Sequence, residues 1–165
     1  NPQIIHRDIK PENIFIKGSS CVLGDFGLMK ALDGAEEQDR DVLKESIGAG
    51  MPFFYRTPEL VKYATVGGGL TTRTDVFQLG LVLTELFTGK NPSRPPANND
   101  IYSPVELEPL GHCPGEHGAA VAGLLRRMLD RTKGDGLRAS EVMDGFMGLF
   151  ASVCQTSAEI NEPTL

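Results

Sequence analysis

The stretch 75–88 limits the possible folds of this chain most strongly, because eight of its 14 residues are large and apolar. These residues are distributed around most of a helical wheel, whereas a surface helix carries its apolar side chains along one stripe. A helix that is apolar on nearly every side is stable only when other elements surround it. We therefore expect residues 75–88 to form a central helix on which the rest of the domain packs.

Shorter patterns indicate the elements around this helix. Residues 14–17 and 21–23 are typical of two short strands, and the small polar residues between them favour a turn, so we expect a β hairpin. Residues 121–129 show the apolar spacing of an amphipathic helix. Residues 142–150 indicate another, with Ser140 and Glu141 near its N-terminus. The predicted fold class is α+β, mostly α-helical with a short β hairpin.

Three further segments lack strong periodicity. Residues 28–50 are charged and predict a long exposed loop, and residues 89–118 are rich in proline and glycine and predict an irregular insertion with short turns. Residues 155–165 are polar and predict a frayed end. We expect one folded unit over residues 1–150 and a flexible tail over residues 151–165.

Charge and cysteine usage exclude several classes of protein. The 22 acidic residues outnumber the 16 basic ones, and a net charge of −6 argues against a general nucleic-acid binder. Cys21, Cys113 and Cys154 are odd in number and far apart, which argues against a disulfide framework or a zinc cluster and favours a reducing, cytoplasmic compartment. No apolar run approaches the ~18 residues of a membrane span.

Three short motifs follow one another along the chain. They are His6-Arg7-Asp8-Ile9-Lys10-Pro11-Glu12-Asn13, Asp25-Phe26-Gly27 and Thr57-Pro58-Glu59. Together they resemble the catalytic loop, the metal-binding turn and the end of the activation segment in eukaryotic-like protein Ser/Thr kinases. Residues 74–80 and 125–142 are similar to the central helix and the last two helices of that family. The resemblance implies a kinase C-terminal lobe, with the N-terminal lobe, its glycine-rich loop and its strand lysine before Asn1.

The resemblance also implies a set of roles for reaction with ATP. Asp8 would accept or orient the hydroxyl of a protein substrate, and Lys10 would lie beside the γ-phosphate and favour Ser or Thr as the acceptor. Asn13 and Asp25 would supply oxygen ligands to Mg²⁺, a cation that prefers such atoms. Gly27 would allow the chain to turn sharply after Asp25. The implied cofactors are ATP and Mg²⁺.

Other residues of the motifs would support this set. The resemblance implies that His6 packs near Phe26 as a structural residue. Asp75 would hold backbone N–H groups of His6 and Arg7. Taken singly, each Asp or Asn would be an ordinary turn or cap residue, and only their combination favours catalysis.

Two structural expectations concern the end of the motif region. The resemblance predicts a buried ion pair between Glu59 and Arg138. Ser46 is the only Ser or Thr in residues 29–55 and is the predicted regulatory phosphorylation site, with its phosphate pairing with Arg7. The alternative is an unmodified serine, with Arg7 bound to a fixed carboxylate.

One departure from the family pattern leaves alternatives open. The family has Gly-Thr-Pro or Gly-Ser-Pro shortly before a tyrosine, whereas this chain has Gly50-Met51-Pro52-Phe53-Phe54-Tyr55, with one extra residue and no hydroxyl. In the family that threonine bridges the catalytic Asp and Lys. A pseudokinase that acts as a scaffold or allosteric module is therefore the main alternative. A small-molecule kinase of the aminoglycoside type is a third, although such enzymes lack an element like Thr57-Pro58-Glu59.

Overall fold

The computed structural model describes residues 4–31, 36–49, 52–93, 101–110, 115–130 and 136–160. Within these ranges the chain is mostly helical and carries two small antiparallel sheets, which confirms the predicted fold class. The strands are β1 Ile4–Ile5, β2 Ile14–Lys17, β3 Ser20–Leu23 and β4 Lys30–Ala31. The helices are α1 Glu36–Ala49, α2 Pro58–Thr65, α3 Arg73–Thr88, α4 Gly115–Met128 and α5 Ala139–Ile160.

The central helix predicted from the apolar stretch is α3. It buries seven of its 16 residues, and Val76 packs in one core with Leu125 of α4 and Val142 of α5. The helix ends at Gly89, whose φ of 75° is left-handed and costs glycine little, and whose N–H donates to the Glu85 carbonyl at 2.8 Å. The main core therefore lies between α3, α4 and α5.

The predicted hairpin is present as β2 and β3. Ile14 pairs with Leu23 and Lys17 pairs with Ser20, so the turn is one residue shorter than the sequence indicated. The other sheet pairs β1 with β4, and Ile5 lies opposite Lys30. The β1–β4 sheet therefore brings Ile5, which precedes the first motif, next to Lys30, which follows the second.

The long loop predicted over residues 28–50 is wrong for its second half, which forms α1. Leu43 is fully buried in a second core with Leu60 and Tyr63 of α2, and Ile47 packs against that core one turn later. Leu43 and Ile47 stand among charged residues and form no continuous apolar stripe along the helix. The stability of α1 therefore depends on its packing against α2.

Two helix boundaries also differ from the sequence expectation. Helix α4 begins at Gly115, inside the predicted irregular insertion. Helix α5 continues to Ile160, well beyond residue 150, and residues 151–155 are exposed. The sequence from Ala151 to Ile160 contains no proline or glycine to interrupt a helix. None of the helices in the ranges above is long and apolar enough to cross a membrane.

Candidate active site

The open end of the β2–β3 hairpin brings Asn13 and Asp25 together. Asn13 ends a short 3₁₀ turn, Pro11–Asn13, directly before β2, and Asp25 lies just after β3. The Gly24 N–H donates to the Asn13 backbone carbonyl at 2.8 Å, which extends the ladder by one step. The two residues with predicted metal-binding roles are therefore neighbours because of strand pairing.

Asp8 is the centre of this polar group. Its Oδ2 atom accepts from Lys10 Nζ at 2.8 Å and from Asn13 Nδ2 at 2.9 Å. Its Oδ1 atom is buried and has no hydrogen-bond partner within the described ranges. A buried carboxylate oxygen without a donor is costly unless another molecule supplies one. Oδ2 of Asp8 thus accepts two hydrogen bonds, whereas Oδ1 is buried without a donor among the described residues.

Helix α3 fixes the backbone of the first motif through Asp75. The Asp75 carboxylate accepts the backbone N–H of His6 at 2.8 Å and of Arg7 at 2.9 Å, as the sequence predicted. Burial raises the pKa of Asp75 above its ordinary value, although these two backbone hydrogen bonds act in the opposite direction. Arg7 has a φ of 70°, which is rare for a residue with a side chain, so its backbone needs such support.

Gln78 is a second support, one that the motifs did not single out. Its side-chain oxygen accepts the Ile9 N–H at 3.0 Å, and its amide donates to the carbonyls of Arg7 at 3.0 Å and of Tyr55 at 2.9 Å. Gln78 is fully buried one helical turn after Asp75. This one side chain joins the catalytic loop to the residues that precede Thr57-Pro58-Glu59.

His6 packs against Phe26, which is the contact that the resemblance implied. Its ring packs edge-on against Phe26 with the centroids 5.4 Å apart, and Nε2 donates to the Gly24 carbonyl at 3.0 Å. Because a carbonyl can only accept, Nε2 carries the proton and Nδ1 is left to accept the Asp8 N–H at 3.4 Å. His6 thus fixes Asp8 to the turn that contains Asp25.

The turn at Asp25 is exposed and left-handed. Asp25 has a φ of 56°, and its Oδ1 atom accepts the Gly27 N–H at 3.3 Å. A side chain at Gly27 would place its Cβ 3.2 Å from that same oxygen. Glycine therefore leaves space beside the carboxylate.

Arg7 binds a carboxylate, which matches the alternative considered for it. Its guanidinium makes a two-point contact with Asp39 of α1, at 2.8 and 2.7 Å. Ser46 lies in the same helix and is half-buried. Phosphorylation of Ser46 stays a prediction, and Met51 lies outside the described residues.

The predicted ion pair between Glu59 and Arg138 is absent among the described residues. Glu59 instead accepts from the Thr74 hydroxyl at 2.8 Å. Arg138 is exposed directly before α5, and its backbone N–H donates to Glu141 Oε2 at 2.7 Å. A glutamate three residues into a helix commonly binds the N–H at the cap in this way. This local cap could not be inferred from the family pattern.

Thr57 stands where the family element begins with alanine, and this difference has a local explanation. Thr57 is the N-cap of α2, and its hydroxyl accepts the Leu60 N–H at 3.1 Å. Threonine satisfies one of the free N–H groups of the first turn, which alanine could not do. Pro58 follows at the first helical position, where it needs no hydrogen-bond donor.

The donor set fits Mg²⁺ with ATP as a further source of ligands. The side-chain oxygen of Asn13 accepts no hydrogen bond from the described residues, because the amide nitrogen faces Asp8. The Oδ2 atom of Asp25 is likewise without a donor in the described ranges. Magnesium typically takes one or two protein carboxylate or amide oxygens and completes its shell with phosphate and water.

Comparison with known proteins decides the family. A family model described as protein kinase domain matches residues 1–143. The chain belongs to the protein kinase family. Residues 144–160, the greater part of α5, lie beyond the matched part of this kinase domain.

Three of the curated proteins that match this kinase domain come from a plant and a fungus. Proline-rich receptor-like protein kinase PERK15 of Arabidopsis thaliana is 41% identical over 104 residues, which cover 61% of this chain and 18% of that protein. Proline-rich receptor-like protein kinase PERK13 of Arabidopsis thaliana is 36% identical over 134 residues, 79% of this chain and 17% of that protein. Serine/threonine protein kinase ypkA of Aspergillus fumigatus is 36% identical over 131 residues, 78% of this chain and 19% of that protein. The chain thus spans less than a fifth of these relatives.

Proposed function

We propose that the protein containing this domain is a Ser/Thr kinase that transfers the γ-phosphoryl group of ATP to a hydroxyl of a protein substrate. The observation that carries the proposal is the hydrogen bonding of the two carboxylate oxygens of Asp8. One carboxylate oxygen accepts hydrogen bonds from Lys10 and Asn13, and the other is buried with no donor in the described part of the chain. That arrangement suits a group that orients an acceptor hydroxyl and takes its proton.

The neighbouring residues support phosphoryl transfer. Lys10 supplies a positive charge beside Asp8, where charge on a transferring phosphoryl group needs compensation. Asn13 and Asp25 would hold Mg²⁺, which neutralises phosphate charge when it is bound. Helix α3 fixes the backbone of the loop through Asp75 and Gln78, so that these side chains keep their positions.

Specificity and location form the finer part of the proposal. Lys10 favours Ser or Thr as the acceptor through the family resemblance, and the Aspergillus fumigatus relative is named a serine/threonine protein kinase. The free, exposed cysteines Cys21 and Cys154 support a cytoplasmic location, because reducing compartments keep thiols unpaired. The substrate we propose is a protein rather than a nucleic acid.

The test compares Asp8→Asn with the wild type in the complete protein. We measure transfer of labelled phosphate from ATP to a general protein substrate and, separately, magnesium-dependent nucleotide binding. We expect kcat to fall by at least ~10²-fold with nucleotide affinity nearly unchanged, because Asp8 acts on the hydroxyl. Asp144→Asn, an exposed aspartate on α5, is the matched control and should behave as the wild type.

Two outcomes would contradict the proposal. A wild type that binds magnesium and ATP but transfers no phosphate would favour the pseudokinase alternative. Equal losses of transfer and nucleotide affinity in Asp8→Asn would contradict the assignment of Asp8 to the acceptor hydroxyl.

A further inference from the structure

We propose that Asp39 is a positioning residue that fastens the activation segment, residues 25–59, to the catalytic loop without a phosphate. The proposal rests on the kinase function proposed above, because the catalytic loop is what Asp39 would position. It concerns a cluster of four residues, which we name the Asp39 cluster: Arg7, Lys30, Asp39 and Tyr63.

The Asp39 cluster joins four separate parts of the chain. Arg7 comes from the catalytic loop, Lys30 from β4, Asp39 from α1 and Tyr63 from α2. Asp39 receives two hydrogen bonds from Arg7, at 2.8 and 2.7 Å, and one from the Tyr63 hydroxyl at 2.7 Å. Lys30 Nζ lies 3.2 Å from Asp39 and donates to Tyr63 at 2.6 Å. One carboxylate is thus the common acceptor for all three partners.

The charges of the cluster favour an anion at this point. Arg7 and Lys30 are almost fully buried cations, with 2% and 7% of their side chains exposed. A buried cation needs a counter-charge, and Asp39 supplies it. Burial alone would raise the pKa of Asp39, but hydrogen bonds from Arg7 and Tyr63 outweigh that effect and lower its pKa below the ordinary value. Asp39 is therefore held as the carboxylate.

The position of Arg7 connects this cluster to catalysis. Arg7 directly precedes Asp8, and its left-handed backbone is held by Asp75 and Gln78. Its side chain also donates through Nε to the Leu28 carbonyl, one residue after the Asp25-Phe26-Gly27 turn. Without Asp39 the guanidinium would be a buried charge with unfilled hydrogen-bonding positions, and the residue before Asp8 would move to find solvent.

Helix α1 is also attached through contacts that do not involve Asp39. Leu43 is buried against α2, and Arg56 donates to the Ile47 carbonyl at 2.9 Å near the end of the helix. These contacts attach α1 to α2, to Arg56 just before α2, and to the core that contains Ile5 of β1. Asp39 is the residue of α1 that pairs with Arg7, so its removal should disturb the loop more than the fold.

A phosphate on Ser46 and the carboxylate of Asp39 would compete for the same guanidinium of Arg7. A phosphate that pairs with Arg7 would have to displace Asp39 from both guanidinium contacts. If Asp39 is the permanent counter-charge, the unphosphorylated protein is already ordered. Activity should then be independent of Ser46.

The experiment uses the complete protein before and after phosphatase treatment, with loss of phosphate verified by mass spectrometry. We compare the wild type with Asp39→Asn, Asp39→Glu, Ser46→Ala and the control Asp41→Asn, which removes an exposed charge from the same helix. We measure kcat and KM for ATP, and amide hydrogen exchange of residues 4–10 and 36–49. Hydrogen exchange reports ordering of both segments even in a protein without activity.

We expect Asp39→Asn to lower kcat at least ~10-fold with KM for ATP changed less than ~2-fold, because the defect is in orientation rather than in nucleotide binding. Exchange of residues 4–10 should accelerate at least ~10-fold. Asp39→Glu should recover part of both losses. Ser46→Ala, Asp41→Asn and phosphatase treatment should leave the wild-type values unchanged.

Several results would overturn the proposal. Loss of wild-type activity on phosphatase treatment, or a Ser46→Ala variant as impaired as Asp39→Asn, would assign the counter-charge to a phosphate. Unchanged exchange of residues 4–10 in Asp39→Asn would show that Asp39 does not hold the loop. A wild type without transferase activity would contradict the proposed function alone, and the exchange data would still decide the role of Asp39.

Discussion

Gln78 shows how much one buried polar side chain can determine at this site. It is fully buried and makes three hydrogen bonds to backbone groups, of Ile9, Arg7 and Tyr55. Gln78→Leu keeps the volume but leaves those three groups unpaired, at about 1 to 3 kcal/mol each. We expect the free energy of unfolding, measured by urea denaturation, to fall by about 3 kcal/mol or more.

The control for this prediction is Gln155→Leu, at an exposed position on α5. A surface substitution of this kind should change the free energy of unfolding by about 0.5 kcal/mol or less. If both variants lose the same amount, the three hydrogen bonds of Gln78 do not stabilise the loop.

At the scale of residues, the sequence was informative wherever a motif carries the chemistry. Asp75 makes the two backbone contacts that the family resemblance implied, whereas the roles of Asp8 and Asn13 stay predictions. The roles of Asp39 and Gln78 depend on partners 32 and 71 residues away in sequence, which no local pattern records. The predicted pairing of Arg138 with Glu59 is absent among the described residues, and the backbone N–H of Arg138 instead donates to Glu141.

At the scale of elements, α1 is the helix that the sequence pattern did not predict. Its apolar contact with α2 comes mainly from Leu43, which is fully buried. Leu43→Ala would leave a cavity between α1 and α2 and should destabilise the domain by about 2 to 5 kcal/mol. The measurement is the urea midpoint of the variant, with tryptic cleavage within residues 36–49 as a local readout.

Val42→Ala is the matched control, because Val42 precedes Leu43 in the same helix and is 49% exposed. It removes apolar atoms from the helix without opening a cavity. A Val42→Ala variant as sensitive to trypsin as Leu43→Ala would mean that α1 is not docked through Leu43. A helix apolar on nearly all sides, such as α3, can be predicted from its sequence alone, whereas α1, with one fully buried leucine among charged residues, cannot.

At the scale of the whole molecule, the main question is what the hairpin faces. Phe15, Ile16 and Val22 are 56%, 81% and 48% exposed on β2 and β3, beside Asn13 and Asp25. Exposed apolar side chains next to a ligand site are typical of a surface that another part of a protein covers. In the family that the chain resembles, a glycine-rich loop and a strand lysine hold ATP from the other side, and the motifs matched in these 165 residues include neither.

The 165 residues expressed alone should therefore transfer no measurable phosphate, because ATP would be held from one side only. The described part of the chain still provides Asp8, Lys10, Asn13 and Asp25, so weak magnesium-dependent nucleotide binding is expected without turnover. The measurement compares this fragment with the complete protein at equal concentration, by labelled phosphate transfer and by nucleotide titration. Phe15→Ser and Ile16→Ser in the fragment should improve solubility, since both side chains are exposed. Robust magnesium-dependent phosphorylation by the fragment would show that these 165 residues suffice for transfer. It would contradict the prediction that ATP must also be held from a second side.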